Sequence, residues 1–229
     1  MFTRNVTCAV CGQRLNINID DEPFTEALNM ENYDKFRRIN LNRCSNCGYC
    51  AENVAVPVNE RVKTLVNSNS YKACLDNAYM GKYKDLPYEE YLELNINELE
   101  AYSMVCKEMN NNLMTARVLG RLADLKRMLA NTYLESKYTH DDEELYDSYD
   151  ELIESLNNQA DVTNEQCLNF LRGEKIDNPF CKIFLAERLC FSYHYDVARQ
   201  LMDRVRKKHN MSKDLLNYIE NFLTEVEEI

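Results

Sequence analysis

From Pro87 onward, apolar residues return every three or four positions, the period of a helix with one buried face. Tyr88, Tyr91, Leu92, Ile96, Leu99, Tyr102, Cys106 and Met109 form one such stripe, opened by Pro87 and closed at Asn110-Asn-Asn112. A second helix is predicted from about Leu113 to Tyr138, burying Ala116, Leu119, Leu122, Ala123, Leu129, Ala130 and Tyr133. A third begins at Thr139-His140-Asp141, with acids in its first turn and Leu145, Tyr149, Leu152 and Leu156 facing inward. Thr163-x-x-Gln166 reads as a capping box for a separate short helix ended by Gly173. Pro179 opens the next, Tyr193 to Asp196 turn into another, and Ser212 caps the last. Upstream the signals are shorter: a turn or two over Glu60 to Val66, then a helix capped by Ser70 and stopped at Gly81.

The first 57 residues follow a different rhythm. Leu15 to Ile19 and Arg38 to Asn42 alternate apolar and polar, the mark of half-buried strands, and Glu52 to Val56 reads as a short last strand ended by Pro57. The pattern predicts a mostly α chain: a small N-terminal β ribbon over 1–57, then antiparallel helix pairs over 58–229. These pairs form a tetratricopeptide-like array or an irregular bundle. With only 5 Gly and 4 Pro in 229 residues, the composition disfavours a turn-rich β fold, and 45% apolar residues suffice for a core.

The ribbon reading comes from cysteines. Cys8-Ala-Val-Cys11-Gly12 and Cys44-Ser-Asn-Cys47-Gly48 are two tight turns of the kind whose thiolates converge on one metal at about 2.3 Å. Each second cysteine is followed by Gly, which accepts the left-handed backbone such a turn needs. No His precedes His140, so an all-cysteine set of Cys8, Cys11, Cys44 and Cys47 is the simple choice. Four protein ligands leave no open position, so the expected ion is a single structural Zn2+. The interval Gly12 to Arg43 exceeds the usual roughly 15–20 residues and must hold structure of its own.

These elements resemble a bacterial family of unknown function that joins an N-terminal zinc ribbon to tetratricopeptide-like helices. The resemblance rests on Val6-Thr-Cys8-Ala-Val-Cys11-Gly12, Arg43-Cys44-Ser-Asn-Cys47-Gly48-Tyr49, Ala116 to Ala123 and the turn at Tyr195. Ala9 and Ser45 stand where that family usually carries Pro, and Cys50 where it usually carries Ala. The resemblance implies this architecture and the same four ligands, and no activity.

Charge and the remaining residues narrow the function. The formal net charge of −11 makes the chain as a whole a poor ligand for phosphate backbones. The start lacks the apolar region of a secretory signal and no apolar run is long enough to span a bilayer, so the expectation is a cytoplasmic protein with reduced thiols and no membrane partner. Cys74, Cys106, Cys167, Cys181 and Cys190 then serve as small buried hydrophobes. His140, His194 and His209 are scattered, and no hydrolase or phosphate-loop signature occurs, so no enzyme is expected. The acids from Asp141 to Glu154 read as a solvated helix face. The leading reading is a non-enzymatic module whose helices bind a protein partner. A first alternative is nucleic-acid binding through Arg37, Arg38 and Arg43 with Tyr33, Phe36 or Tyr49 stacking on bases. A second is thiol redox chemistry at Cys47-Gly-Tyr-Cys50, or an iron–sulfur triplet of Cys44, Cys47 and Cys50 completed by a distant cysteine such as Cys181.

Overall fold

A computed structural model describes residues 2–19, 27–75, 86–139, 143–172 and 177–227. The alternation at Leu15 to Ile19 does form a strand. It is β2 (Arg14–Ile19), antiparallel to β1 (Phe2–Thr7), with Val6 opposite Leu15 and Arg4 opposite Ile17. β1 was not anticipated; its three consecutive polar residues Thr3 to Asn5 hide the alternation. After the undescribed 20–26, Asn29 caps α1 (Met30–Arg37) by accepting the Asn32 amide at 2.8 Å.

Two expected strands fail, for one reason. Of Arg38 to Asn42 only the last residue pairs: β3 is Asn42–Arg43, antiparallel to β4 (Cys50–Ala51). Glu52 to Val56 is no strand either, because Asn53 turns the chain. Its side chain accepts the Ala55 amide at 3.0 Å and its carbonyl the Val56 amide at 3.2 Å. The turn carries Val54 to the first knuckle, where its carbonyl accepts the Ala9 amide at 2.9 Å. Residues 38–41 are thereby left without the strand they would have paired with.

The helical part follows the apolar stripes closely. α2 (Glu60–Asn67) is followed by α3 (Asn69–Cys74), capped by Ser68 and not by Ser70. Ala78, Tyr79 and Gly81 lie outside the described residues. Then come α4 (Tyr88–Glu108), α5 (Asn112–Thr139), α6 (Glu143–Arg172), α7 (Pro179–Phe191), α8 (Tyr195–Lys208) and α9 (Lys213–Glu227). Each of these packs on the next in sequence. Polar pairs give the direction: the ion pairs Lys137–Asp150 and Arg127–Asp161 run oppositely along α5 and α6, as do the Lys126–Glu100 ion pair and the hydrogen bond from the Tyr133 hydroxyl to Glu93 along α5 and α4.

The expected capping box at Thr163 is not one. No helix breaker separates Leu156 from Thr163, so α6 runs straight through; the Thr163 hydroxyl donates to the Gln159 carbonyl one turn back, at 2.7 Å. Leu152, Tyr88, Tyr91 and Met109, expected on buried faces, are at least 39% exposed. His140, Asp141 and Gly173 lie outside the described residues.

The N-terminal part is locked to the helical body through α1, which packs on α7 and α9. Tyr33 (0% exposed) stacks on Phe180 at 5.8 Å and meets Tyr218 at 5.9 Å, while Phe36 lies 6.1 Å from Phe184. Burying such a ring stabilises by about 1.5–3 kcal/mol. Arg117 of α5 donates to the carbonyls of Phe36 at 2.7 Å and Arg38 at 3.3 Å, closing off the end of α1.

Candidate metal centre

The two cysteine turns are built alike. In the first, the Cys8 amide donates to the Gln13 carbonyl at 2.8 Å and the Gly12 amide to the Cys8 carbonyl at 2.9 Å. In the second, Cys44 donates to Tyr49 at 2.9 Å and Gly48 to Cys44 at 2.8 Å. Each turn is completed by a glycine with positive φ, 76° at Gly12 and 77° at Gly48, which side-chain-bearing residues adopt only with strain. One turn joins β1 to β2 and the other joins β3 to β4, so each hairpin presents two sulfurs at its tip. The hairpins abut through Asn42, whose side chain accepts the Asn18 amide at 2.9 Å and donates to the Asn18 carbonyl at 3.0 Å.

The tips face each other. The Sγ atoms of Cys8, Cys11, Cys44 and Cys47 all lie within 4.8 Å of one another. The crosswise pairs are Cys8 with Cys47 at 3.8 Å and Cys11 with Cys44 at 3.6 Å. A disulfide needs about 2.05 Å, and these thiols are free. A tetrahedral ion with Zn–S bonds of about 2.3 Å holds its sulfurs roughly 3.8 Å apart, so the spacing suits such an ion. Cys8 and Cys44 are buried, Cys47 is half-buried and Cys11 is exposed.

Burial pushes the Cys8 and Cys47 thiols up. At Cys11 burial also acts upward, but hydrogen bonds from the Asn46 side chain and the Gln13 backbone prevail and bring it down to about 7. Sulfurs packed this tightly cannot all be thiolates unless a cation offsets their mutual repulsion, and a bound metal ion supplies that charge.

Tyr71 supports the second turn and was missed from sequence. Its hydroxyl accepts the Cys50 amide at 3.0 Å and donates to the Gly48 carbonyl at 3.3 Å, tying α3 to the knuckle. Nothing local announces this, because the partners are more than twenty residues apart. Leu75, which ends α3, packs directly against Gly48.

Other candidates separate from the cluster. Cys50 is fully buried, donates to the Gly48 carbonyl at 3.3 Å and is raised by burial; neither it nor Cys181 belongs to the four-sulfur group. Cys106, Cys167 and Cys181 are buried as small hydrophobes, whereas Cys74 and Cys190 are half-buried. Tyr33, Phe36 and Tyr49 are each at most 7% exposed and offer no face to a base. Arg37 is paired with Asp34 and Glu187. Among the described residues no helix is long and apolar enough to cross a membrane. Compared with protein-family models, curated proteins and solved structures, this chain matches none, so what stands is the arrangement itself: four clustered cysteines in a small N-terminal strand region, followed by a helical body.

Proposed function

We propose that Cys8, Cys11, Cys44 and Cys47 hold one structural zinc ion, and that the chain is a non-enzymatic interaction module whose helical body meets a protein partner in a reducing, cytoplasmic setting. The observation that carries the metal reading is the crossed pairing of sulfurs at 3.8 and 3.6 Å between two like turns. All-thiolate ligation favours zinc over the harder divalent ions. It leaves no coordination position for water or substrate, which favours a structural ion over a catalytic one. Two hairpins of this size bury too little to fold alone, so metal binding would supply folding free energy. Two features weigh against the alternatives: the buried, raised Cys50 thiol is a poor redox nucleophile, and the rings that base stacking would need are inside the core.

Metal analysis of freshly purified protein tests this. One zinc per chain is expected, lost in both Cys8→Ser and Cys44→Ser. Full metal content in either variant would refute the ligand set, and an iron chromophore in the wild type would refute zinc as the ion.

A further inference from the structure

The orphaned stretch Arg38 to Leu41 forms one wall of a cleft. It continues β3 backward beyond the last residue of β4, and its alternation of Arg38, Ile39, Asn40 and Leu41 is that of a strand. Arg38 has extended φ and ψ of −70° and 136°. Among the described residues the main chain of Ile39 and Leu41 has no hydrogen-bond partner. Opposite lie α4 and α5, each contributing one stripe, and the space between has a volume of about 740 Å³. That is within the range of about 300–1,000 Å³ typical of ligand sites.

Charge and aromatic groups in the cleft favour one kind of occupant. Arg121 of α5 lines it, is half-buried, and has no hydrogen bond or ion pair among the described residues. Three carboxylates line the cleft: Asp34 pairs with Arg37 at 3.1 Å, Asp124 pairs with Arg188 at 2.7 Å, and Glu98 is buried at 5% exposure; none is paired with Arg121. A half-buried guanidinium with unmet donors seeks a carboxylate. Tyr88 and Tyr91 line the same cleft, 50% and 39% exposed, with rings 6.3 Å apart. Paired exposed tyrosines offer a rigid apolar face at small entropic cost.

We propose that this cleft takes an extended peptide, which adds as a strand to residues 38–41, places an Asp or Glu side chain on Arg121 and rests an apolar residue against Tyr88 and Tyr91. Strand addition draws affinity from the main chain of Ile39 and Leu41, and specificity from alternate side chains. The inference rests on the interaction-module reading and narrows it to one surface and one partner chemistry.

The test uses full-length, zinc-loaded protein and a phage-displayed library of random peptides. Enriched peptides should carry an acidic residue flanked at alternate positions by apolar ones. Their binding should weaken at least about tenfold in Arg121→Glu, a loss of about 1.4 kcal/mol, and stay unchanged in Lys208→Glu, a like charge reversal on α8. On binding, the amides of Ile39 and Leu41 should gain protection from hydrogen exchange. Peptides that bind Arg121→Glu as tightly would overturn this site while leaving the interaction module standing. Unprotected Ile39 and Leu41 amides would overturn the strand addition. Failure to enrich any peptide, or Arg121-dependent binding of a single-stranded oligonucleotide instead, would overturn the proposal itself.

Discussion

Gly12 and Gly48 hold equivalent places in the two knuckles, with φ of 76° and 77°, yet they should not be equally replaceable. A methyl group at either position meets the same backbone penalty, about 1–2 kcal/mol for a left-handed residue. At Gly12 that is all, since a Cβ there meets nothing within 4 Å. At Gly48 the Cβ would lie 2.9 Å from Leu75 Cδ1, and Leu75 is only 5% exposed. Overfilling such a site costs a further 1–3 kcal/mol or about that. Gly48→Ala should therefore release its metal at a clearly lower concentration of competing chelator than Gly12→Ala; equal midpoints would show that Leu75 is free to move aside. The glycines and the four cysteines could be read from sequence because a knuckle is a local object, encoded in five consecutive residues. Tyr71 could not, because only the folded chain brings its hydroxyl to Cys50 and Gly48.

Among the elements, α7 carries the most demanding chemistry, a buried Glu187 between α1 and α9. Its carboxylate faces Arg37 at 3.5 Å and accepts the Tyr218 hydroxyl, with Tyr33 and Arg188 close by. Burial raises its pKa above the ordinary 4.5, although Arg37 and Arg188 pull the other way. Folding thus favours the protonated form. The stability Glu187 contributes is whole below its unfolded value and is lost as pH rises through its folded value. Glu187→Gln cannot ionise, so its stability relative to wild type should increase as pH is raised from about 4 toward neutrality. Urea unfolding across that range checks the sign: a relative stability that falls with pH would mean the arginines outweigh burial. The same elements show what a one-dimensional pattern carries. The stripes on α4, α5, α7 and α9 gave helices because their period reports one buried face. The alternation at Arg38 to Leu41 gave an extended segment without a ladder, because a strand also needs a neighbour, and Asn53 turns that neighbour away. Thr163-x-x-Gln166 misled because the same hydroxyl that caps a helix start also bonds back within a helix.

At the scale of the molecule, the question is how far loss of the metal would spread. The sequence suggested a division at residue 57, with the ribbon on one side. In the structure the segment before that point is joined to the body in two unlike ways. The hairpins β1–β2 and β3–β4 hold each other through the sulfur cluster, the Asn42–Asn18 bonds and the Ala9–Val54 bond, and the second meets the body, where β4 packs on α4 and Tyr71 of α3 bonds the knuckle. α1 has anchors of its own: Tyr33 and Phe36 among Phe180, Phe184 and Tyr218, the Arg37–Glu187 pair, and Arg117 on its last carbonyls. None of these passes through the cysteines. Chelation of the proposed ion should therefore act selectively. Amide exchange in 2–19 and 42–54 should accelerate strongly, while 30–37 keeps most of its protection and the helical circular dichroism falls little. The second knuckle should lose less than the first, since Tyr71 still holds the Cys50 amide and the Gly48 carbonyl from α3. Exchange measured by mass spectrometry before and after chelator resolves these segments. If α1 lost protection together with the hairpins, the N-terminal part would be one cooperative unit built on the metal, and the aromatic contacts with α7 and α9 would be a consequence of that unit and not an independent anchor.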